Sequence, residues 1–153
     1  MKAAPKYIFF IIAFLASFIC LSYAQNLSIP DLADKFQAAT DLQRQEIVNG
    51  WLGKAMQANG KVLNVEEYNF FDEKNDKSEK YYRVTTETQK TADNTPYQVI
   101  FLYKNLDKVQ GLSKGQLIER DGSVIGVVDE RLQIAVWLYV GDLTEKEKNL
   151  FNN

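Results

Sequence analysis

The stretch LGKAMQANGKVLNVEEY, Leu52 to Tyr68, carries its apolar residues in two phases: Met56, Ala58 and Val62 fall on even positions, Leu63 and Val65 on odd ones. Successive side chains of a strand point to opposite faces, so a change of phase between Gly60 and Asn64 means that the core-facing side is exchanged partway along. A β-bulge or a glycine-centred coil does this to a strand that serves two sides of a small barrel. The remaining segments are read as the closure of that barrel.

Residues 1–24 are set apart. Lys2 and Lys6 precede the apolar run Tyr7 to Ile19, and Ser22-Tyr23-Ala24 puts small residues three and one positions before a cut at Gln25, the pattern of a secretory signal peptide. The run is shorter than the roughly 18 to 20 apolar residues of a spanning helix, so no stable membrane span is expected after cleavage. Ile19 stands before Cys20 where a lipid-anchoring site needs a small residue, which argues against a lipid anchor. The expected organisation is a leader (1–24), a helical segment (25–51), a barrel (52–143) and a short helix or tail (144–153). The expected destination is the periplasm or the outside of the cell.

Cleavage leaves 129 of the 153 residues, enough for one domain and one core. Two lysines leave with the leader, so 16 basic residues then face 20 acidic ones, a net charge of −4. The only cysteine leaves too, and the chain has no histidine. Stability must come from packing; the full 153-residue sequence, leader included, is 46% apolar and 12% aromatic. Without thiol or imidazole there is no nucleophile or base of those kinds, no metal ligand of the usual zinc, copper or haem type, and no cofactor is implied. Carboxylate pairs such as Glu66-Glu67 and Asp129-Glu130 are neighbours in strand-like segments, so their members point to opposite faces and form no dyad. The chain reads as a non-enzyme.

Ser28 before Ile29-Pro30-Asp31 is a helix start, with Leu32 and Phe36 on one face. Thr40 and Gln43 make a capping box that opens a second helix ending at Gly50. Ile47 with Trp51 and Val48 with Leu52, each four residues apart, are expected to plug one end of the barrel; Trp51 is a core residue or a ligand platform. Phe70 to Lys80 reads as a charged hairpin turn in which Lys74 and Lys77 spoil an EF-hand calcium pattern. Tyr81 to Thr88 alternates as a half-buried strand, and Gln89 to Pro96 is turn chemistry. Tyr97 to Tyr103 is an apolar strand with both faces covered or one face of exposed aromatics. Asn105 to Lys114 is an irregular or helical link with Val109 and Leu112 turned inward.

Gln116 to Val128 and Arg131 to Val140 complete the strands. Gly53-Lys54 followed by Gly60-Lys61-Val62-Leu63-Asn64-Val65, with Leu112-Ser113-Lys114-Gly115 before a strand with a glycine in its middle, resembles the OB-fold, and within it the small secreted bacterial branch described as anticodon-binding-like. The resemblance covers Leu52 to Gly141. It implies an all-β domain with N-terminal helices, a Greek-key OB-type barrel of five strands, or six if Asp121-Gly122 is a hairpin turn. It further implies a binding face on strands two and three with their flanking loops. Tyr68, Tyr82, Arg83, Tyr97, Tyr103 and Lys104 are the ligand-binding candidates there. The expected ligand is an oligosaccharide or a protein of the cell envelope, with a structural subunit or inhibitor of an envelope assembly as the alternative. Nucleic acid is disfavoured, because Arg83, Lys104 and Arg131 are scattered and the net charge has the wrong sign. On the last strand Ile134, Val136, Leu138 and Val140 alternate with Ala135, Trp137 and Tyr139; Trp137 is expected under the N-terminal helices. Oligomeric state cannot be read from the sequence.

Overall fold

A computed structural model of the chain describes residues 28–72, 77–130 and 132–151, so the leader expected over residues 1–24 lies outside the described residues. Among the described residues, three helices accompany a single six-stranded sheet that closes into a ring.

Helix α1, Ile29–Ala38, starts at a capping box in which the Ser28 amide donates to Asp31 Oδ2 at 3.0 Å and the Asp31 amide donates to Ser28 Oγ at 3.3 Å. Ile29, Leu32, Ala33 and Phe36 lie at helical spacing and are all buried. Helix α2, Asp41–Trp51, opens on Thr40 with Gln43 and buries no residue fully. Ile47, Val48 and Trp51 pack only partly against the core. The plug is therefore mainly α1, whose apolar stripe is complete, and not the α2 residues expected from the sequence.

Strand β1 runs Ala55–Asp72 and β2 runs Lys77–Thr86. Most of the charged stretch expected as a turn is thus strand: Asn69 faces Lys80 and Phe70 faces Glu79 across the pair. The Phe70 and Tyr81 rings meet edge to face at 5.8 Å in the outer part of the β1–β2 pairing. The pairing slips between Val62 and Asn64, inside the window where the apolar phase changes. Leu63 is the extra residue of this bulge and is exposed, not inward, while Val62 and Val65 on either side pack on the core. Before the bulge β1 pairs with β5, Leu117–Glu130; after it β1 pairs only with β2.

The short β3, Gln89–Lys90, folds back on β4, Pro96–Tyr103, around a turn in which Asn94 has φ 63°. It is the sixth strand. Asp121-Gly122 makes no hairpin: Gly122 faces Met56 and Asp121 faces Gln57 within continuous β5. One 3-10 turn, Leu106–Lys108, links β4 to β5 and precedes the buried Val109. Strand β6, Gln133–Tyr139, lies antiparallel to β5 and parallel to β4, and β4 also pairs with β2. The sheet therefore runs β1, β2, β4, β6, β5 and back to β1. Inside it, Val62, Val84, Val99, Phe101, Val124, Val136 and Leu138 form the main core.

Both faces of β4 are covered. Val99 and Phe101 face the main core, while Leu102 joins Tyr81, Ile125 and Tyr139 in a second cluster on the other face, beneath helix α3, Glu145–Phe151. Trp137 belongs to this second cluster and not beneath α1 and α2 as expected. Strand alternation sends it away from its neighbours Val136 and Leu138, which face the main core.

Candidate functional site

The bulge in β1 sets which of its side chains leave the main core. Beyond Val65, Tyr68 and Phe70 project onto the second cluster, toward β6 and α3. There they meet Trp137: the Tyr68 and Trp137 ring centroids are 5.5 Å apart at 51°, and Tyr68 meets Phe70 edge on at 5.0 Å. Phe151 closes the row, 5.1 Å from Phe70. These four rings line an open cleft of about 300 Å³. Its other walls are Leu150 of α3 and Ile125, Gly126, Val128 and Glu130 of β5. Gly126 stands opposite Trp137 in the β5–β6 register, and its missing side chain leaves the space beside the indole.

Arg83 backs the row. Its guanidinium carbon sits 4.9 Å from the Tyr68 ring centre and 5.7 Å from that of Trp137, and its Nε donates to Glu66 Oε1 at 2.9 Å. The arginine is thus already paired. Glu130 is the only charged residue lining the cleft among the described residues, is exposed, and has no ion pair among them.

A buried carboxylate ties helix α3 to the second cluster, on which its Leu150 and Phe151 also pack. Glu147 is 1% exposed, and its oxygens accept from Lys104 Nζ at 2.9 Å, the Tyr139 hydroxyl at 2.7 Å, and the amide and hydroxyl of Thr144 at 2.9 and 2.8 Å. Burial alone would raise this carboxyl, but the hydrogen bonds from Thr144, Lys104 and Tyr139 outweigh it and hold it at about 2. Burial first, and then the Glu147 carboxylate, push the Tyr139 and Tyr81 hydroxyls well above the ordinary phenol value. An ion pair between Lys146 and Glu79 fastens the outer side of the helix to β2.

Of the six residues singled out in the sequence, Tyr68 and Arg83 come together at this cleft. Lys104 does not line the cleft and is instead the partner of Glu147. Tyr97 and Tyr103 are buried on the main-core side, Tyr97 donating to Gln89 Oε1 at 3.1 Å, so neither ring offers a surface. Tyr82 is partly buried on that same side, opposite Tyr103. Trp137, Phe70, Phe151 and Glu130 were missed. The alternation of Trp137 with Val136 and Leu138 was the available signal for the first; Phe151 sits in a segment too short to show a period.

The carboxylate neighbours are separated as strand geometry requires. Glu66 pairs with Arg83 and Glu67 with Lys80, while Asp129 accepts from Arg44 at 3.0 Å and Glu130 turns to the cleft. Among the described residues no three acids come together to hold a metal ion, and no helix is long and apolar enough to cross a membrane. No family model matches the chain, and no curated protein matches it.

Proposed function

We propose that the protein is an exported, non-enzymatic binding module built on an OB-type Greek-key barrel, and that it recognises an oligosaccharide of the cell envelope in the aromatic cleft. The observation that carries this is an open, mainly apolar cleft lined by Tyr68, Phe70, Trp137 and Phe151. Its volume, about 300 Å³, is at the small end of ligand sites and suits one or two sugar rings, whose flat C–H faces stack on aromatic side chains. The cleft lies between the outer part of the β1–β2 hairpin and the end of the β5–β6 hairpin, and its lining comes from β1, β5, β6 and α3, not from the strand-two and strand-three face that the OB resemblance implies. Closure of five long strands with non-sequential neighbours, β5 beside β1 and β6 beside β4, agrees with a Greek-key path.

Nucleic acid is disfavoured by the same geometry, since the one charged side chain that lines the cleft among the described residues is acidic and Arg83 is spent on Glu66. One observation favours a second reading, assembly with another protein. From Glu67 to Asp72 β1 pairs with β2 alone, so the outer edge of this arm is open to an added strand.

Gly126→Val separates the two. A Cβ at Gly126 would meet Trp137 Cβ at 4.0 Å, an ordinary contact, so the fold tolerates the change while the cleft fills. In pull-down on cell-wall polysaccharide the wild type should be retained and Gly126→Val lost. Retention of both equally would refute the cleft as the sugar site, and retention of neither, with co-purification of a partner through the β1 arm, would favour assembly.

A further inference from the structure

We infer that the cleft selects an ammonium-bearing sugar, a protonated amino sugar without its N-acetyl group, over neutral and acidic sugars; this rests on the oligosaccharide reading above. Three features of the site agree. Its wall is four aromatic rings, whose faces carry the negative lobe of the π quadrupole and attract cations. Its single charged lining residue is Glu130, exposed and without an ion pair among the described residues. The protein's own Arg83 already uses the same rings in this way, placing its guanidinium 4.9 Å from Tyr68 and 5.7 Å from Trp137 with Glu66 as the balancing carboxylate. A ligand ammonium in the cleft would lie against the same rings, with Glu130 in the role of Glu66. A carboxylate sugar would instead bring like charge to Glu130, and an N-acetyl group would remove the cation.

The test is calorimetric titration of the mature protein at pH 6 with three probes: a glucosamine trimer, its fully N-acetylated counterpart and a uronic acid trimer. The glucosamine trimer should bind at least about tenfold more tightly than the acetylated one, and the uronic acid trimer more weakly than either. Glu130→Gln should shrink the preference to within about threefold. Glu119→Gln, an exposed acid elsewhere on β5, should leave it intact and so separates a local carboxylate from the general attraction of an acidic protein. Gly126→Val should weaken both glucosamine-based trimers. Equal binding of those two, with Gly126→Val weakening both, would overturn the ammonium preference and leave the sugar site standing. A preference lost equally in Glu119→Gln and Glu130→Gln would also overturn it. Binding of none of the three would overturn the selection and the sugar reading together.

Discussion

Gly60 is where the closure of the ring is most exposed to test. It sits on β1 two residues before the bulge, opposite Ile118 of β5. A Cβ placed there would lie 2.7 Å from Thr86 Cβ, 2.8 Å from its Cγ2 and 2.9 Å from its Oγ1, all closer than real side-chain contacts. Thr86 has no room to retreat: it is fully buried, its hydroxyl donates to the Val99 carbonyl at 2.9 Å, and the Val99 amide donates back at 3.2 Å. Gly60→Ala must therefore push β1 away from β2 or turn Thr86 off β4. Overpacking of this kind costs about 1 to 3 kcal/mol, and a buried hydrogen bond lost in the process adds about 1 kcal/mol. We expect a net loss of about 2 kcal/mol for Gly60→Ala and more for Gly60→Val, whose branched side chain enlarges the clash. Urea denaturation followed by circular dichroism should show the midpoint falling by about 1 M for alanine at an unchanged slope, taking a slope of about 2 kcal/mol per molar. Gly50→Ala is the control, since its Cβ would meet nothing within 4 Å in helix α2, and it should be neutral or stabilising by up to about 1 kcal/mol. Thr86→Ala removes two of the three clashing atoms, so its cost and that of Gly60→Ala should combine to less than their sum. A Gly60→Ala midpoint at the wild-type value, or strict additivity with Thr86→Ala, would refute close packing of β1 on β2.

Gly122→Val places a Cβ 3.0 Å from Leu138 Cβ and from the Tyr139 carbonyl oxygen, so it should cost about 1 to 3 kcal/mol in the same denaturation assay. The Glu147 carboxyl titrates lower in the folded chain than in the unfolded one, from 4.5 to about 2, so the unfolded state takes up its proton first as pH falls. Its contribution is complete above about pH 5 and is lost toward pH 2, on the order of 3 kcal/mol; urea midpoints of wild type against Glu147→Gln should converge over that range. A constant gap between the two would contradict the role given to Glu147. Intact-mass analysis of the exported protein should find it beginning at Gln25, and retention of residues 1–24 would remove the basis for export.

The bend in β1 was legible because it is written in local periodicity: an apolar face changes sides within five residues, and the pairing slips within the same five. Capping at Ser28 and Thr40 was legible for the same reason, each being a contact across three residues. The site was legible only in part. Tyr68 and Arg83 were visible as an aromatic and a cation on adjacent strands. That they face Trp137, and that Tyr97 and Tyr103 do not, depends on which side of a two-sided strand meets the main core. When both faces are covered, as on β4, alternation in the sequence carries no sign to tell them apart. The charged segment after Phe70 looked like a turn because its residues favour solvent. Its described residues pair across β1 and β2, with Phe70 edge-on to Tyr81, and such a contact across a hairpin is not apparent until the register is known.

The central claim is that a sugar enters the cleft beside Trp137. The chain has two tryptophans, Trp137 at the cleft and Trp51 at the end of α2, where Lys54 Nζ lies 4.5 Å over its ring. Labelling both with 5-fluorotryptophan and titrating the mature protein with glucosamine trimer gives two fluorine resonances, assigned through Trp51→Phe. The Trp137 resonance should move in proportion to occupancy while that of Trp51 stays in place. Movement of Trp51 alone, or no movement at saturating sugar, would contradict the account.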